Sequence, residues 1–207
     1  MSEMMTTKNI LVIGASGLTG QAIVTEALQR GLGVTAYVRD KAKAAGLPSS
    51  VRVMQGDGRD AAALGPALTG IDAVVIPAGG RKDPVSAEIV KTVVPLMQKN
   101  SILRLIVLSA YGAVDGRGFY GWVMKTAARP VVADKTAMEQ VLRNSGLDWT
   151  AVRPGILTDG AATRSVTAAE NAVLKGMPRI SRADVAAFIV DELEHPKFVR
   201  RSPVISV

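Results

Sequence analysis

Gly14, Gly17 and Gly20 recur at three-residue spacing directly behind the apolar run "NILVIG", and a helix-like pattern follows them. A helix that opens straight after a buried strand presents unpaired backbone N–H groups and the positive end of its dipole. Glycine lets such a turn bend sharply and lets a phosphate approach, because no Cβ intervenes. Gly14 would make the turn, Gly17 would admit a pyrophosphate, and Gly20 would let the helix pack on the sheet. Ser16 and Thr19 bring hydroxyls to the same place, and Ala15 and Leu18 complete the loop. The chemistry implied is the holding of a dinucleotide; a tight strand–helix turn without a ligand would carry the same glycines.

The second apolar run ends in "YVRDKAK". An acidic residue at this strand end accepts the ribose hydroxyls of NAD, whereas a cation suits the 2′-phosphate of NADP. Arg39, Lys41 and Lys43 outnumber Asp40, so charge complementarity favours NADP over NAD. For Lys41 in particular, a solvated charge run is the alternative. The third run is followed by "GDGRD", where Asp57 can accept the adenine amino group and Gly58 can let the chain pass beneath the base. The fourth ends in "PAGG". Behind Pro77, the small residues Ala78, Gly79 and Gly80 leave room for a nucleotide outside the carboxyl end of a strand.

These residues need a scaffold, and the periodicity supplies one. Short β-rich apolar runs ("NILVIG", "GVTAYVR", "VRVMQGD", "DAVVIPA", "RLIVLSA", "WTAVRPG") alternate with stretches of helical spacing ("LTGQAIVTEALQRG", "DAAALGPAL", "SAEIVKTVVPLMQKN", "ADKTAMEQVLRNSG"). Runs that are apolar throughout suit a parallel sheet buried on both faces. The expected fold is α/β: a doubly wound, Rossmann-like parallel sheet flanked by helices, in a single domain over residues 1–207. Residues 1–7 are expected to be flexible. Residues 156–207 are expected to form a small portion shaping the ligand cleft, from loops and a short strand. A helix follows, capped by Ser181 with Asp184 in a capping box, and "SPVISV" reads as an edge strand.

Composition narrows the function classes. The chain has 207 residues, a formal net charge of +7 and 4% aromatic residues. Its cations are scattered, which argues against a nucleic-acid surface and suits an anionic small molecule. There is no cysteine, so thiolate and disulfide chemistry are excluded. The single histidine, His195, stands at an expected helix end and supplies neither a metal site nor a triad. The amino terminus has no signal-peptide pattern and no run reaches membrane-spanning length, so the expectation is a cytoplasmic monomer or weak homo-oligomer without metal.

Taken in order, "GASGLTG", "VRD", "GDGRD", "LSAYG", "SGLDWTAVRPG" and "ISRADVAAFI" resemble the atypical short-chain dehydrogenase/reductase group, specifically NmrA-like proteins and the biliverdin reductase B/flavin reductase type, over residues 8–207. The resemblance implies NAD(P) lying across the strand ends. Gly14, Ser16, Gly17, Leu18 and Thr19 would hold the pyrophosphate, Arg39 and Lys43 the 2′-phosphate, Asp57 the adenine and the "PAGG" segment the adjoining ribose. Leu108 and Ser109 match the end of the fifth strand beside the nicotinamide, and Pro154, Gly155 and Ile156 the loop that packs on its carboxamide. Lys135 looks like the lysine of the family's Tyr-x-x-x-Lys pair, which would grip the nicotinamide ribose.

The departure lies four residues earlier, where Val131 replaces the tyrosine that protonates a carbonyl. Tyr111 or Tyr120 could substitute as the acid, although each also reads as an aromatic packed over a cleft. Without that acid, acceptors that take protons from water become attractive. The leading expectation is an NADPH-dependent reductase of a flavin, quinone or tetrapyrrole, with Ser109 polarising the acceptor and Lys135 fixing the ribose. The alternatives are an NADP-binding regulator or redox sensor without turnover, and a carbonyl reductase using Tyr111 or Tyr120.

Overall fold

A computed structural model describes residues 7–78, 84–113 and 116–207 of the chain. In chain order, β1 (Asn9–Ile13) leads into α1 (Leu18–Gln29), β2 (Gly33–Val38), β3 (Arg52–Gln55), α2 (Ala61–Leu64) and β4 (Ala73–Ile76). Then come α3 (Ser86–Lys99), β5 (Arg104–Leu108), α4 (Gly118–Ala127), α5 (Arg129–Arg143) and β6 (Asp148–Pro154). The last part holds β7 (Ile156–Thr158), β8 (Thr167–Ala169), β9 (Arg179–Ser181), α6 (Arg182–Glu194) and β10 (Val204–Ser206).

The main sheet has eight strands in the order β3-β2-β1-β4-β5-β6-β10-β8, parallel except for the β10–β8 pair. Chain direction across the sheet reverses between β1 and β4, which opens a crevice at the carboxyl ends of those strands. The apolar strands follow from burial on two sides. Ile10 and Val12 of β1 pack with Ile23 of α1 and Ile189 of α6. Their alternates, Leu11 and Ile13, pack with Val93 of α3 and Met138 of α5. Each face of the sheet thus has its own helical layer, as a doubly wound fold requires.

Three local expectations change. "SPVISV" is not at the edge: β10 inserts between β6, in parallel register Val204↔Arg153, and β8, antiparallel with Ile205↔Ala168. The strand that covers it, Thr167–Ala169, is too short to announce itself in the pattern. The stretch before α6 holds three short strands instead of one, and β7 pairs with β9 in a separate parallel ribbon (Ile156↔Arg179, Thr158↔Ser181). "DAAALGPAL" forms only the short α2, capped by Asp60, before a 3-10 turn at Gly65–Leu68. Pro66 has no N–H to continue the α-helical ladder.

Ser181 caps α6 as expected, accepting from the Asp184 N–H at 2.9 Å. Asp184 has a wider task than a capping box. Its carboxylate accepts from Ser181 Oγ, Arg164 N and Thr163 Oγ1, fastening the segment around residue 164 to the start of α6. Burial opposes its ionisation, but these donors prevail and hold the carboxyl below its ordinary range. His195 terminates α6 in an exposed position. No helix among the described residues is long and apolar enough to cross a membrane.

Candidate cofactor site

A cleft of about 470 Å³ lies at the carboxyl ends of β1, β2, β4 and β5, and the glycine turn forms one wall of it. Gly14 adopts φ +96°, a left-handed conformation that favours glycine. Its N–H donates to Tyr37 O at 3.0 Å, tying the turn to β2. A Cβ on Gly20 would sit 2.3 Å from Gly14 O and 2.8 Å from Ala15 Cα, so this glycine lets α1 close on the turn itself. Gly17 differs: a Cβ there would meet only Gly14 O at 3.4 Å, an ordinary contact. The protein's own packing does not demand that glycine, and its open side faces the cleft. Helix α1 has no side-chain cap at Gly17 and no acidic residue in its first turn, which leaves its positive end to the cleft. Ser16, Leu18 and Thr19 line the same wall, while Ala15 is fully buried behind it.

At the end of β2, Arg39 and Lys43 line the cleft. Asp40 does not compete there, because its carboxylate accepts the Ala42 N–H at 3.0 Å and caps the 3-10 turn at Lys41–Ala44. Asp57 and Gly58 form the adjoining wall with Arg59, which the pattern had not singled out. Arg59 donates to Asp57 through its backbone N (2.9 Å), Nε (3.0 Å) and Nη2 (2.7 Å). These bonds lower the Asp57 carboxyl to about 2. Pro77, Ala78 and Leu108 complete the floor with Val85 and Ile89. Gly79 and Gly80 lie outside the described residues.

The three residues expected to act chemically are placed elsewhere. Lys135 is 2% exposed, and its Nζ donates to Ala78 O (3.0 Å), Ser86 Oγ (2.7 Å) and Leu108 O (2.7 Å). An ammonium has three protons, so its donors are used inside the protein instead of gripping a ribose. Lys135 supports the cleft from beneath, binding the carbonyls of two floor residues. Burial pulls its ammonium down to about 8, against the carboxylates of Asp134 and Glu139.

Ser109 donates to Glu139 Oε1 at 2.6 Å and is 4% exposed. Glu139, wholly buried, also accepts from Arg153 Nε (2.9 Å) and Ser202 Oγ (3.1 Å). The Ser109 proton therefore points into a buried ionic cluster and not at a bound acceptor. The hydroxyl of Tyr111 donates to Arg117 O (2.9 Å) and accepts from Arg117 N (3.2 Å) and Leu174 N (3.4 Å). It packs with Leu174 and Val204 at 3% exposure and fastens the start of α4 to the end of β5, so the packing alternative describes it better than the acid. The side chain of Tyr120, in α4, lies outside the described residues.

Pro154 O accepts from Tyr111 N at 3.3 Å. A Cβ on Gly155 would lie 2.6 Å from Pro178 O, which explains that glycine by the close passage of another segment. Ile156 packs on the Tyr111 cluster. The cleft is instead reached by the next residue, Leu157, and by Arg182 at the start of α6. Neither was legible in the pattern, because both arrive through the β7–β9 ribbon. Among the described residues there is no group of side chains suited to a metal ion.

The comparisons agree with this geometry. Residues 14–196 match a family model described as NAD(P)H-binding. The chain is 29% identical to the Bacillus subtilis protein YwnB, itself uncharacterised, over 90% of this chain and 92% of that one. ChuY, an anaerobilin reductase from Escherichia coli, superposes with a TM-score of 0.81 at 28% identity, covering 96% of this chain and 98% of that chain. A short-chain dehydrogenase/reductase from Veillonella parvula, solved with NADP, shares the fold with a TM-score of 0.83 at 20% identity, covering 98% and 95%.

Proposed function

The chain belongs to the NAD(P)H-binding family, and on that premise we propose that it is an NADPH-dependent reductase of a planar conjugated acceptor of the flavin, quinone or tetrapyrrole type. The observation that carries this reading is that, among the described residues, the three side chains expected to act chemically all have hydrogen-bond partners within the protein. Val131 stands where a tyrosine would be. The protons of Lys135, Ser109 and Tyr111 are bound by Leu108 O, Glu139 and Arg117 O. A simple carbonyl needs a proton donor as charge develops on its oxygen. An extended conjugated acceptor spreads that charge and takes its proton from water.

The cofactor supplies the hydride, and the chain's own residues hold and orient it. Gly17, Leu18 and Thr19 face its pyrophosphate, and Arg39 and Lys43 take the 2′-phosphate. Gly14 and Ala78 shape the turn, and Asp57 with Gly58 borders the adenine. Lys135 holds the floor on which the nicotinamide half rests. Phe119 and Trp122, each 62% exposed, stack at 6.1 Å on α4. Tyr111 anchors the start of that helix near the carboxyl end of β5, and the pair offers an exposed aromatic surface on α4 to a planar acceptor. The similarity to an anaerobilin reductase supports the same class of acceptor.

The same bound protons also favour a second reading, an NADP-binding regulator without turnover. Purified protein is mixed with NADPH and, separately, FMN, a quinone and a linear tetrapyrrole, and nicotinamide absorbance is followed. Oxidation with at least one acceptor is expected. Tight NADPH binding with no turnover on any of them would overturn the reductase reading in favour of the regulator.

A further inference from the structure

Helices α1 and α6 lie side by side and run in the same direction. Arg30, just beyond the end of α1, is paired with Asp191 and Glu194 in the last turns of α6. Their starting ends open on the same cleft, which Gly17, Leu18, Thr19, Leu157 and Arg182 all line. The β7–β9 ribbon fixes this arrangement. Thr158 is in register with Ser181, so Asp159 and Arg182, the next residues on each strand, emerge together. Arg182 Nη1 donates to Asp159 Oδ1 at 2.7 Å.

The two partners sit in unequal surroundings. The Arg182 side chain is 21% exposed and forms part of the cleft wall, whereas that of Asp159 is 83% exposed. An ion pair with one partner in solvent contributes little net stability. A guanidinium that faces a cleft can exchange such a carboxylate for a phosphate, whose oxygens match its planar fork. Arg39 and Lys43 line the cleft just beyond the end of β2.

We propose that Arg182 closes over the cofactor's pyrophosphate from the α6 side, releasing Asp159 as it does so. This rests on the cofactor reading above. The glycine turn then holds one side of the pyrophosphate by backbone N–H groups, and a side chain from the far end of the sequence holds the other. Asp159 acts as a place-holder that keeps the guanidinium extended along the cleft until the phosphates arrive.

The test titrates NADPH and adenosine 2′-monophosphate, which lacks the pyrophosphate, against wild type, Arg182→Gln, Asp159→Asn and Arg39→Ala. Arg182→Gln is expected to weaken NADPH about ten- to a hundredfold, the range for a charge-assisted hydrogen bond, and to leave the monophosphate within about twofold. Arg39→Ala should weaken both ligands. Asp159→Asn removes the competitor and should tighten NADPH by about two- to fivefold, on the scale of an exposed pair; it also carries the test should Arg182→Gln not fold. Unchanged NADPH affinity in Arg182→Gln, an equal loss for both ligands, or weaker NADPH binding in Asp159→Asn would overturn the proposal. A raised KM for FMN but not for a neutral quinone, with NADPH affinity unchanged, would overturn it by moving Arg182 to the acceptor. Failure of wild type to bind NADPH at all would be a failure of the cofactor reading instead.

Discussion

Lys135 Nζ donates to the carbonyl of Leu108 at 2.7 Å, so a lysine on α5 holds the residue that ends β5. The same ammonium reaches Ala78 O and Ser86 Oγ, joining the floor of the cleft to the first turn of α3. Lys135→Met removes a buried charge and its three hydrogen bonds, leaving Ala78 O with Ser86 Oγ as its donor, which costs about 2–4 kcal/mol of stability. The pH dependence has a definite sign. The folded pKa, about 8, lies below the ordinary lysine value of 10.5, so between these pH values the unfolded chain binds the extra proton. Stability contributed at this position therefore rises as pH climbs from 8 towards 10.5, at up to about 1.4 kcal/mol per unit. Urea unfolding of wild type and Lys135→Met from pH 7 to 10 measures this. A gap between the two proteins that stays constant would contradict the buried ammonium.

The Ser109–Glu139 hydrogen bond predicts a different pattern. Ser109→Ala removes one donor to a carboxylate that keeps Arg153 and Ser202, at a cost of about 1–2 kcal/mol. Reductase turnover should fall less than about threefold, since charge polarisation of the acceptor would be worth far more. Glu139→Gln leaves Arg153 buried beside a neutral amide and should cost about 3–5 kcal/mol. Chemical denaturation and steady-state rates on the same variants check both statements. A loss of turnover in Ser109→Ala of a hundredfold or more would return this serine to the reacting end.

Selectivity between the two nicotinamide cofactors should reside in Arg39. Arg39→Ala is expected to weaken NADPH by about ten- to a hundredfold and to leave NADH unchanged, the signature of a lost contact to phosphate. Asp40→Ala should not improve or harm NADH binding, because the Asp40 carboxylate caps its own 3-10 turn. Fluorescence titration with each nucleotide separates the outcomes. Equal affinity of wild type for NADH and NADPH would remove the basis for an NADP preference.

The contrast between Arg39 and Asp40 marks how far the residue pattern reaches. Elements of the βα alternation, the glycine turn and the cationic end of β2 are local: each is set by neighbours in sequence, so their spacing alone reveals them. Lys135 was also visible, but its environment was not, because Ala78, Ser86 and Leu108 converge on it from separate elements. Arg59 stood within the quoted "GDGRD" and signalled nothing until its side chain closed on Asp57. Arg182 and Leu157 reach the cleft through a ribbon of three-residue strands, too short for periodicity to detect. The edge position expected for "SPVISV" failed for the same reason, since β8 covers it with three residues.

Gly17 and Gly20 should separate binding from folding. In Gly20→Ala the new methyl would lie 2.3 Å from Gly14 O and 2.8 Å from Ala15 Cα, both backbone atoms of the turn. The turn or the start of α1 has to shift, with an expected loss of about 1–3 kcal/mol or more. In Gly17→Ala the methyl meets Gly14 O at 3.4 Å, and the backbone there, at φ −75°, suits any L residue. Alanine also restricts the unfolded chain more than glycine does, so stability should hold or rise by up to about 1 kcal/mol. The methyl would nevertheless stand in the cleft where a phosphate has to approach the N–H groups of α1. Gly17→Ala is therefore expected to keep or raise the melting temperature and to weaken NADPH by at least tenfold. Thermal melts with and without NADPH read both quantities on one sample. If Gly17→Ala binds NADPH as wild type does, the turn does not hold the pyrophosphate, and its glycines serve packing alone.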